Sequence, residues 1–280
     1  MDGVFFIDKP KGMTSRDVVN FLMKKFSFRK MGHVGTLDPF ATGLLIVISG
    51  KATKIGQFLE SEDKVYVATL VLGEARDSED ETGTRTATAE VPPLTKSEIQ
   101  RVFDSMLGRQ KQIPPMYSAI KQNGVPLYRL ARQGIEVERK EREIVIYSLD
   151  CLDYQDGKLT FRVHCSKGTY VRTLGVTIAE KLHTLGYLSS LRREKVGNIS
   201  VQNANFLEEV QVEHLHSMLE AMCNFPTMEV PSSLVEDIKN GKRIALSCQE
   251  EKVLLVYQNT PLAVYEKEDE KYRCVRGLWS

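Results

Sequence analysis

Nowhere in this 280-residue chain is there a run approaching the roughly 20 consecutive apolar residues that a membrane helix needs. Charge of one sign is missing too: 38 Lys and Arg against 37 Asp and Glu leave a formal net charge of +1. A protein that coats nucleic acid with its whole surface is far more basic, so any RNA or DNA contact falls to local patches. Cysteine is sparse and unpatterned. The five (Cys151, Cys165, Cys223, Cys248, Cys274) form no C-x-x-C pair, which argues for reduced thiols and against a structural zinc site. The opening MDGVFFIDKPKG holds an apolar run too short for a secretion signal, with an acid ahead of it. The expectation is a soluble, cytoplasmic protein. The five histidines (His33, His164, His183, His214, His216) lack a ligand pattern such as H-E-x-x-H, and no metal is expected. Gly32-x-x-Gly35 and Gly83 fit neither phosphate-loop pattern, and no G-x-S-x-G elbow is present.

What is present is an ordinary globular composition, 42% hydrophobic and 27% charged, long enough for one large domain and a small appendage. Val4 to Ile7 reads as a strand. Thr14 or Ser15 caps a helix running to about Phe26, with Lys24 and Lys25 in its last turn. Leu44–Ile48 reads as a strand, and Val65–Leu72 as a strand buried on both faces. Residues 73–90 are acidic and turn-rich, as in a solvated loop or hairpin. Thr95-x-x-Glu98 is a capping box opening a helix with Ile99, Val102, Phe103, Met106 and Leu107 along one stripe. Gln112 to Gly134 is irregular. Strands are expected at Ile144–Leu149, Leu159–Cys165 and Thr169–Val171, and a helix from about Leu174 to Leu185. The texture changes at Phe225-Pro226. A short helix with a Ser233-x-x-Glu236 capping box and Gly241 at its stop leads into small strands, a β-rich second domain over 226–280. Strands and helices mix without regular βαβ alternation, so the class is α+β.

The segment Gly32-His33-Val34-Gly35-Thr36-Leu37-Asp38-Pro39-Phe40-Ala41-Thr42-Gly43 sets one carboxylate in a loop of glycine, threonine and proline. Two readings stand at this point: an Asp-Pro turn between elements, and a reaction centre that a substrate approaches across glycine backbone. Tyr66, in an apolar strand, reads either as a core tyrosine or as a ring that stacks on a flat substrate and exchanges a proton. Arg172 is either a surface ion-pair residue or a partner that keeps Asp38 ionised. Basic residues at 9, 11, 24, 25, 29, 30, 51 and 54, and the cluster Arg192, Arg193, Lys195, are solvated faces or phosphate contacts. Lys9, Lys11, Lys51 and Lys54 lie beside Gly or Pro loops, which favours phosphate contacts somewhat.

Seven pieces occur in one order over about the first 200 residues: Lys9-Pro10-Lys11-Gly12-Met13-Thr14-Ser15, GHVGTLDPFATGLL, Gly50-Lys51-Ala52-Thr53-Lys54, Lys64-x-Tyr66 ahead of Leu72-Gly73, Gln112-x-Pro114-Pro115-x-Tyr117-Ser118-Ala119-x-Lys121, Cys165-Ser166-Lys167-Gly168-Thr169-Tyr170-x-Arg172 and Leu191-Arg192-Arg193. With them the chain resembles the bacterial tRNA pseudouridine-55 synthases of the TruB family. The resemblance implies an α+β catalytic domain around a mixed sheet over 1–225, an RNA-gripping insertion at about 73–141, and a small PUA-like RNA-binding domain over 226–280. It implies that Asp38 is the catalytic aspartate, that Tyr66 stacks on the target uracil and shuttles a proton, and that Arg172 pairs with Asp38. His33 would fill the space of the flipped base, Lys9 would shape the pocket near Tyr66, and Leu191 would line it. Gly35, Thr36, Lys54, Arg132, Lys167, Tyr170 and Arg192 would be further substrate-binding residues.

The implied partner is tRNA, with no cofactor, no metal and no obligate protein partner, and the chain acting as a monomer. Three chemical roles stay open for Asp38: attack on uracil C6, attack on C1′, or removal of the C2′ proton to give a glycal, which the resemblance favours. The chain departs from the family pattern at Arg76 and Ser78, where threonines are common, and at Asn198-Ile199, where an aromatic is commoner. Competing readings are a non-catalytic RNA-binding or RNA-folding module, a guide-RNA-dependent synthase, and a small-molecule enzyme.

Overall fold

The structure is a computed structural model that describes residues 1–279. The chain divides into two compact units. One comprises Met1–Pro39, Gly43–Ser61 and the chain from Gly197 onward; the other comprises Phe40–Thr42 and Glu62–Val196. Among the described residues no helix is long and apolar enough to cross a membrane.

The first unit begins with β1 (Gly3–Lys9), α1 (Ser15–Phe26), β2 (Met31–Val34) and β3 (Thr42–Ser49), followed by a 3₁₀ turn Gly50–Lys54 and α2 (Gly56–Ser61). β1 lies antiparallel to β3 from Gly3↔Ser49 to Lys9↔Gly43. β2 pairs antiparallel with β3, and Asn205–Phe206 joins β1 in parallel, so the sheet is mixed. Val4, Phe5, Ile7 and Leu44 to Val47 are fully buried. Helix α1 starts where expected. Thr14 Oγ1 accepts from Asp17 N at 3.0 Å and Asp17 Oδ2 accepts from Thr14 N at 2.9 Å, a reciprocal cap that satisfies two orphan donors. Its apolar stripe, Val18, Val19 and Leu22, faces the core.

The same unit ends in a separate small sheet. Strands Thr227–Glu229, Lys252–Tyr257, Thr260–Glu268 and Lys271–Gly277 pair in that order, the first pair parallel and the others antiparallel. They close on their own core of Val230, Ile238, Val253, Leu255, Tyr265 and Tyr272. The helix between them is Ser232–Lys239. The expected Ser233 capping box does not form, because the cap falls at Pro231, which has no side-chain acceptor; Gly241, at φ 67°, does end the helix.

The second unit holds β4 (Lys64–Leu72), a hairpin of β5 (Glu74–Arg76) and β6 (Arg85–Thr88), α3 (Lys96–Asp104), β7 (Gly108–Gln112), a short hairpin of β8 (Lys121–Gln122) and β9 (Val125–Pro126), α4 (Leu127–Arg132), β10 (Arg142–Gln155), β11 (Lys158–Cys165), α5 (Val171–Lys181) and β12 (Gly186–Val196). Strand order is β12-β4-β11-β10-β7, antiparallel throughout.

Five local expectations change. β4 is not buried on both faces: Lys64, Tyr66, Ala68, Leu70 and Leu72 are buried while Val65, Val67, Thr69 and Val71 are half-buried. Thr169–Val171 is not a strand; Gly168, at φ 80°, turns the chain, and α5 starts at Val171 rather than near Leu174. β2 and β7 escaped the periodicity reading because β2 is only four residues long and β7 is mostly polar. The Gln112–Gly134 stretch contains the β8–β9 hairpin and α4. The acidic 73–90 segment forms the expected hairpin, but Ser78 and Asp80 are buried rather than solvated.

Candidate active site

The Asp38 loop is clamped on both sides of its carboxylate. Ser15, buried at the start of α1, accepts from Leu37 N at 2.9 Å and donates to Leu37 O at 3.1 Å through one hydroxyl. On the other side Pro39 O accepts from Gly12 N at 2.7 Å and from Lys9 Nζ at 3.4 Å. Lys9 is fully buried, and its ammonium also donates to Met13 O at 2.7 Å and Pro10 O at 2.9 Å. A buried charge must be met by strong acceptors, and here backbone carbonyls supply them. The reading of Lys9 as a phosphate contact is therefore corrected: its ammonium is spent inside the protein. Gly12 takes φ 90° to bring its N–H onto Pro39, a conformation open to glycine and costly for other residues. The Lys9–Ser15 segment thus exists to shape the loop at 37–39. Leu37, Phe40 and Ala41 anchor it in the core, and Asp38 between them is half-buried.

His33 lies on β2 opposite Val47, half-buried. Gly35 follows at φ 66°, and Thr36 is exposed. Lys54 closes the 3₁₀ turn. Burial first, and then the charges of Arg276, Lys51 and Lys30, push its ammonium pKa down. Lys30 and Arg276 thus add their charges to those of Lys51 and Lys54 at the Gly50–Lys54 turn.

In the second unit Tyr66 sits on the buried face of β4, between Val163 on β11 and Arg193 on β12. Leu191, opposite Ala68, is its diagonal neighbour on that face, close enough for side chains of this size to meet. Arg193, read as part of a basic surface cluster, is 1% exposed. Arg192 is half-buried, with Nη1 donating to Thr42 Oγ1 at 3.5 Å.

Arg172, the second residue of α5, is 2% exposed. Its Nη1 donates to Ser78 O and its Nη2 to Tyr117 O, both at 2.7 Å, and its Nε lies 3.6 Å from Asp80 Oδ2. It is thus no surface ion-pair residue. Asp80 is prepared for this contact: its Oδ1 accepts from Ser78 Oγ at 2.8 Å, Thr82 N at 2.9 Å and Thr82 Oγ1 at 2.5 Å. Arg172 therefore ties together α5, the turn after β5 and the Tyr117 segment. The next residue, Thr173, donates to Glu79 Oε2 at 2.7 Å; burial raises the Glu79 pKa, while that hydrogen bond and the nearby Arg172 and Arg139 charges oppose the shift. Gln112 holds Tyr170 from both sides, accepting from its N at 2.8 Å and donating to its O at 3.0 Å. Lys167 is exposed in the loop before it, and Arg132 is exposed at the end of α4, 5.7 Å from the Tyr128 ring.

Each unit thus gathers part of the expected set. Asp38, His33, Lys9, Gly35, Thr36 and Lys54 belong to the first; Tyr66, Arg132, Lys167, Tyr170, Arg172, Leu191 and Arg192 belong to the second. Sequence reasoning missed Ser15, Ser78, Asp80 and the Tyr117 carbonyl. The alternation Ser78-x-Asp80-x-Thr82 is a signal for a carboxylate wrapped by its own turn, and could have separated Asp80 from its acidic neighbours.

Residues 23–171 match the TruB family pseudouridylate synthase (N terminal domain). A protein of Syntrophotalea carbinolica named tRNA pseudouridine synthase B is 46% identical over 237 residues, covering 82% of this chain and 78% of that protein. One of the same name from Streptococcus sanguinis is 38% identical over 288 residues, covering 98% of each. Among solved structures, a chain from the crystal structure of a Cbf5-Nop10-Gar1 complex aligns with a TM-score of 0.76 at 22% identity, covering 99% of this chain and 84% of that one, a likeness of fold.

Proposed function

This chain belongs to the TruB family of pseudouridylate synthases, and from that premise we propose that it isomerises uridine to pseudouridine in the T loop of tRNA, at position 55, with Asp38 as its catalytic carboxylate. The observation that carries the reading is the double clamp on the Asp38 loop, Ser15 on Leu37 and Lys9 with Gly12 on Pro39. A connecting turn has no use for a buried lysine and a buried serine aimed at its backbone. A carboxylate that must meet a reacting atom does, since fixing geometry ahead of reaction removes an entropic and reorganisation cost.

The reaction breaks the N1–C1′ bond, turns the uracil and forms a C5–C1′ bond; the C5 proton leaves and N1 gains one. Oxidation state is unchanged, so no redox cofactor is called for. The target base is stacked in RNA and must be extruded. Tyr66 offers its ring to the flipped uracil, which returns roughly 1–3 kcal/mol of lost stacking. Leu191 supplies an apolar wall beside it, and His33 fills the vacated space. In this reading Arg172 pairs with Asp38 during the reaction and keeps the carboxylate ionised. Asp38 then removes the C2′ proton as uracil leaves C1′, giving a glycal; after the uracil turns, its C5 bonds to C1′ while Asp38 returns the proton to C2′, and Tyr66 assists loss of the C5 proton.

Gly35, Thr36, Lys54, Arg132, Lys167, Tyr170 and Arg192 hold the RNA. The catalytic domain spans 1–225, with a gripping insertion at about 73–141, and residues 226–280 form the PUA-like domain. The enzyme acts in the cytoplasm as a monomer without guide RNA or protein partner, and a tRNA-folding role coexists with catalysis. Incubating the purified protein with a tRNA pool from cells lacking this modification, then mapping pseudouridine chemically, tests the reading. One new pseudouridine per tRNA, in the T loop, is expected; no product on bare tRNA, or product at scattered sites, overturns it. Affinity for tRNA falls as salt rises, because phosphate contacts carry it.

A further inference from the structure

The turn that cradles Arg172 is itself held by one side chain that the mechanism leaves unused. Arg76 ends β5. Its Nη1 donates to Glu81 O at 2.8 Å and Gly83 O at 3.3 Å, and its Nε donates to Glu74 Oε1 at 2.7 Å. Its guanidinium carbon lies 4.2 Å from the centroid of the Tyr187 ring. Tyr187 is in β12, next to Leu188. Leu188 N donates to Glu79 O at 3.0 Å, and Leu188 O accepts from Glu81 N at 2.9 Å. One limb of the turn, residues 79–81, is therefore sewn to β12 through backbone. The other limb, residues 81–83, is held by the Arg76 guanidinium, by the carboxylate of Asp80 and by Gly83 N donating to Asp80 O at 3.2 Å. Of the two turn groups that hold the Arg172 guanidinium, Asp80 lies in the first limb and directly precedes the second, and Ser78 O immediately precedes the first.

We propose that Arg76 is a positioning residue for Arg172: with Tyr187 it forms a strut that fixes the 78–83 turn, and through that turn the Arg172 guanidinium. The strut needs an arginine. A planar fork can reach two carbonyls and a carboxylate while its face rests on a ring; a lysine ammonium is a single point charge and cannot do all three. The proposal rests on the role given to Arg172 above.

The test compares Arg76→Ala, Arg76→Gln, Arg76→Lys, Tyr187→Phe and Tyr187→Leu. For each, the single-turnover rate of pseudouridine formation with saturating enzyme, the affinity for tRNA by filter binding, and Tm are measured. Arg76→Ala, Arg76→Gln and Tyr187→Leu should slow the chemical step about 10-fold or more, the scale on which a small displacement near a reacting group acts, with affinity held within about 2-fold. Arg76→Lys should recover little of the rate, and Tyr187→Phe, which keeps the ring, should recover most. In an Asp80→Asn background Arg76→Ala should lose most of its effect, because both act through the same turn. An undiminished rate in Arg76→Ala, a Tyr187→Phe variant as slow as Tyr187→Leu, or an equal Arg76→Ala loss in the Asp80→Asn background overturns the proposal while leaving the enzymatic reading intact. A wild-type protein that makes no pseudouridine overturns both.

Discussion

Replacing Ser15 with alanine removes one atom whose two hydrogen bonds hold the residue before Asp38. The Ser15 hydroxyl is buried, and both of its bonds, 2.9 Å from Leu37 N and 3.1 Å to Leu37 O, go to one backbone unit. Alanine suits the first turn of a helix, so α1 itself loses nothing. The cost falls on Leu37. Two hydrogen bonds at about 1 kcal/mol each are lost, and a backbone N–H and C=O are left buried, which raises the total to about 2–4 kcal/mol unless water enters. For a 280-residue protein, at about 2 °C per kcal/mol, that is a fall in Tm of about 4–8 °C. The catalytic consequence is larger in proportion. Leu37 is bonded directly to Asp38, and a shift of about 1 Å in a reacting carboxylate costs on the order of 10²-fold in rate. The assay is single-turnover pseudouridine formation in a tRNA transcript, read at a temperature where both proteins are folded. Ile238→Ala, which opens a hole in the core of the small C-terminal sheet, serves as the comparison: it should lower Tm by a similar amount with the rate unchanged. A Ser15→Ala enzyme with wild-type rate and Tm refutes the clamp. So does an Ile238→Ala enzyme that is equally slow, since the loss would then follow stability and not the loop.

Two other expectations follow from the second unit and the cysteines. Burial holds the Glu79 pKa above its usual 4.5, so the group favours the folded state below about pH 4.5, and that contribution is lost as pH rises through its folded value. Glu79→Gln, whose amide oxygen can still accept from Thr173, should therefore raise Tm at pH 7 and give no advantage at pH 4; an equal gain at both values contradicts the argument. Burial pushes the Cys165 thiol up to about 12, whereas Cys223 is exposed. Maleimide at pH 7.5 should label Cys223 in the native protein and Cys165 only after denaturation, and native labelling of both at one rate would contradict that placement.

What the sequence made legible was whatever is written locally. The Thr14 and Thr95 capping boxes, the Leu44–Ile48 and Leu159–Cys165 strands and the β-rich tail all follow from patterns a few residues long. The Asp38 loop could be picked out because its composition is unusual. Its clamp could not, since Ser15 and Leu37 are 22 residues apart and a serine at a helix start is ordinary. Asp80 was hidden for a different reason: it lies in a run of acids, and only tertiary contact separates the one that meets Arg172 from those that meet water. Arg193 makes the same point in reverse. It reads as part of a basic surface, yet strand register places it across from Tyr66 on the buried face. Alternation along β4 was masked because both of its faces carry apolar residues, and burial depends on what packs against each.

If the Asp38 carboxylate, in a loop fixed by Ser15, Lys9 and Gly12 at Leu37 and Pro39, performs the isomerisation, Asp38→Asn abolishes it. The substitution keeps size and polarity and removes the charge and the basicity. Pseudouridine mapped at nucleotide 55 of a tRNA transcript, alongside the dissociation constant of the same complex, gives the answer in one preparation. Asp38→Asn should give no detectable product and bind tRNA within about 3-fold of wild type, since phosphate contacts carry most of the binding. Appreciable product from that variant would contradict the role given to Asp38.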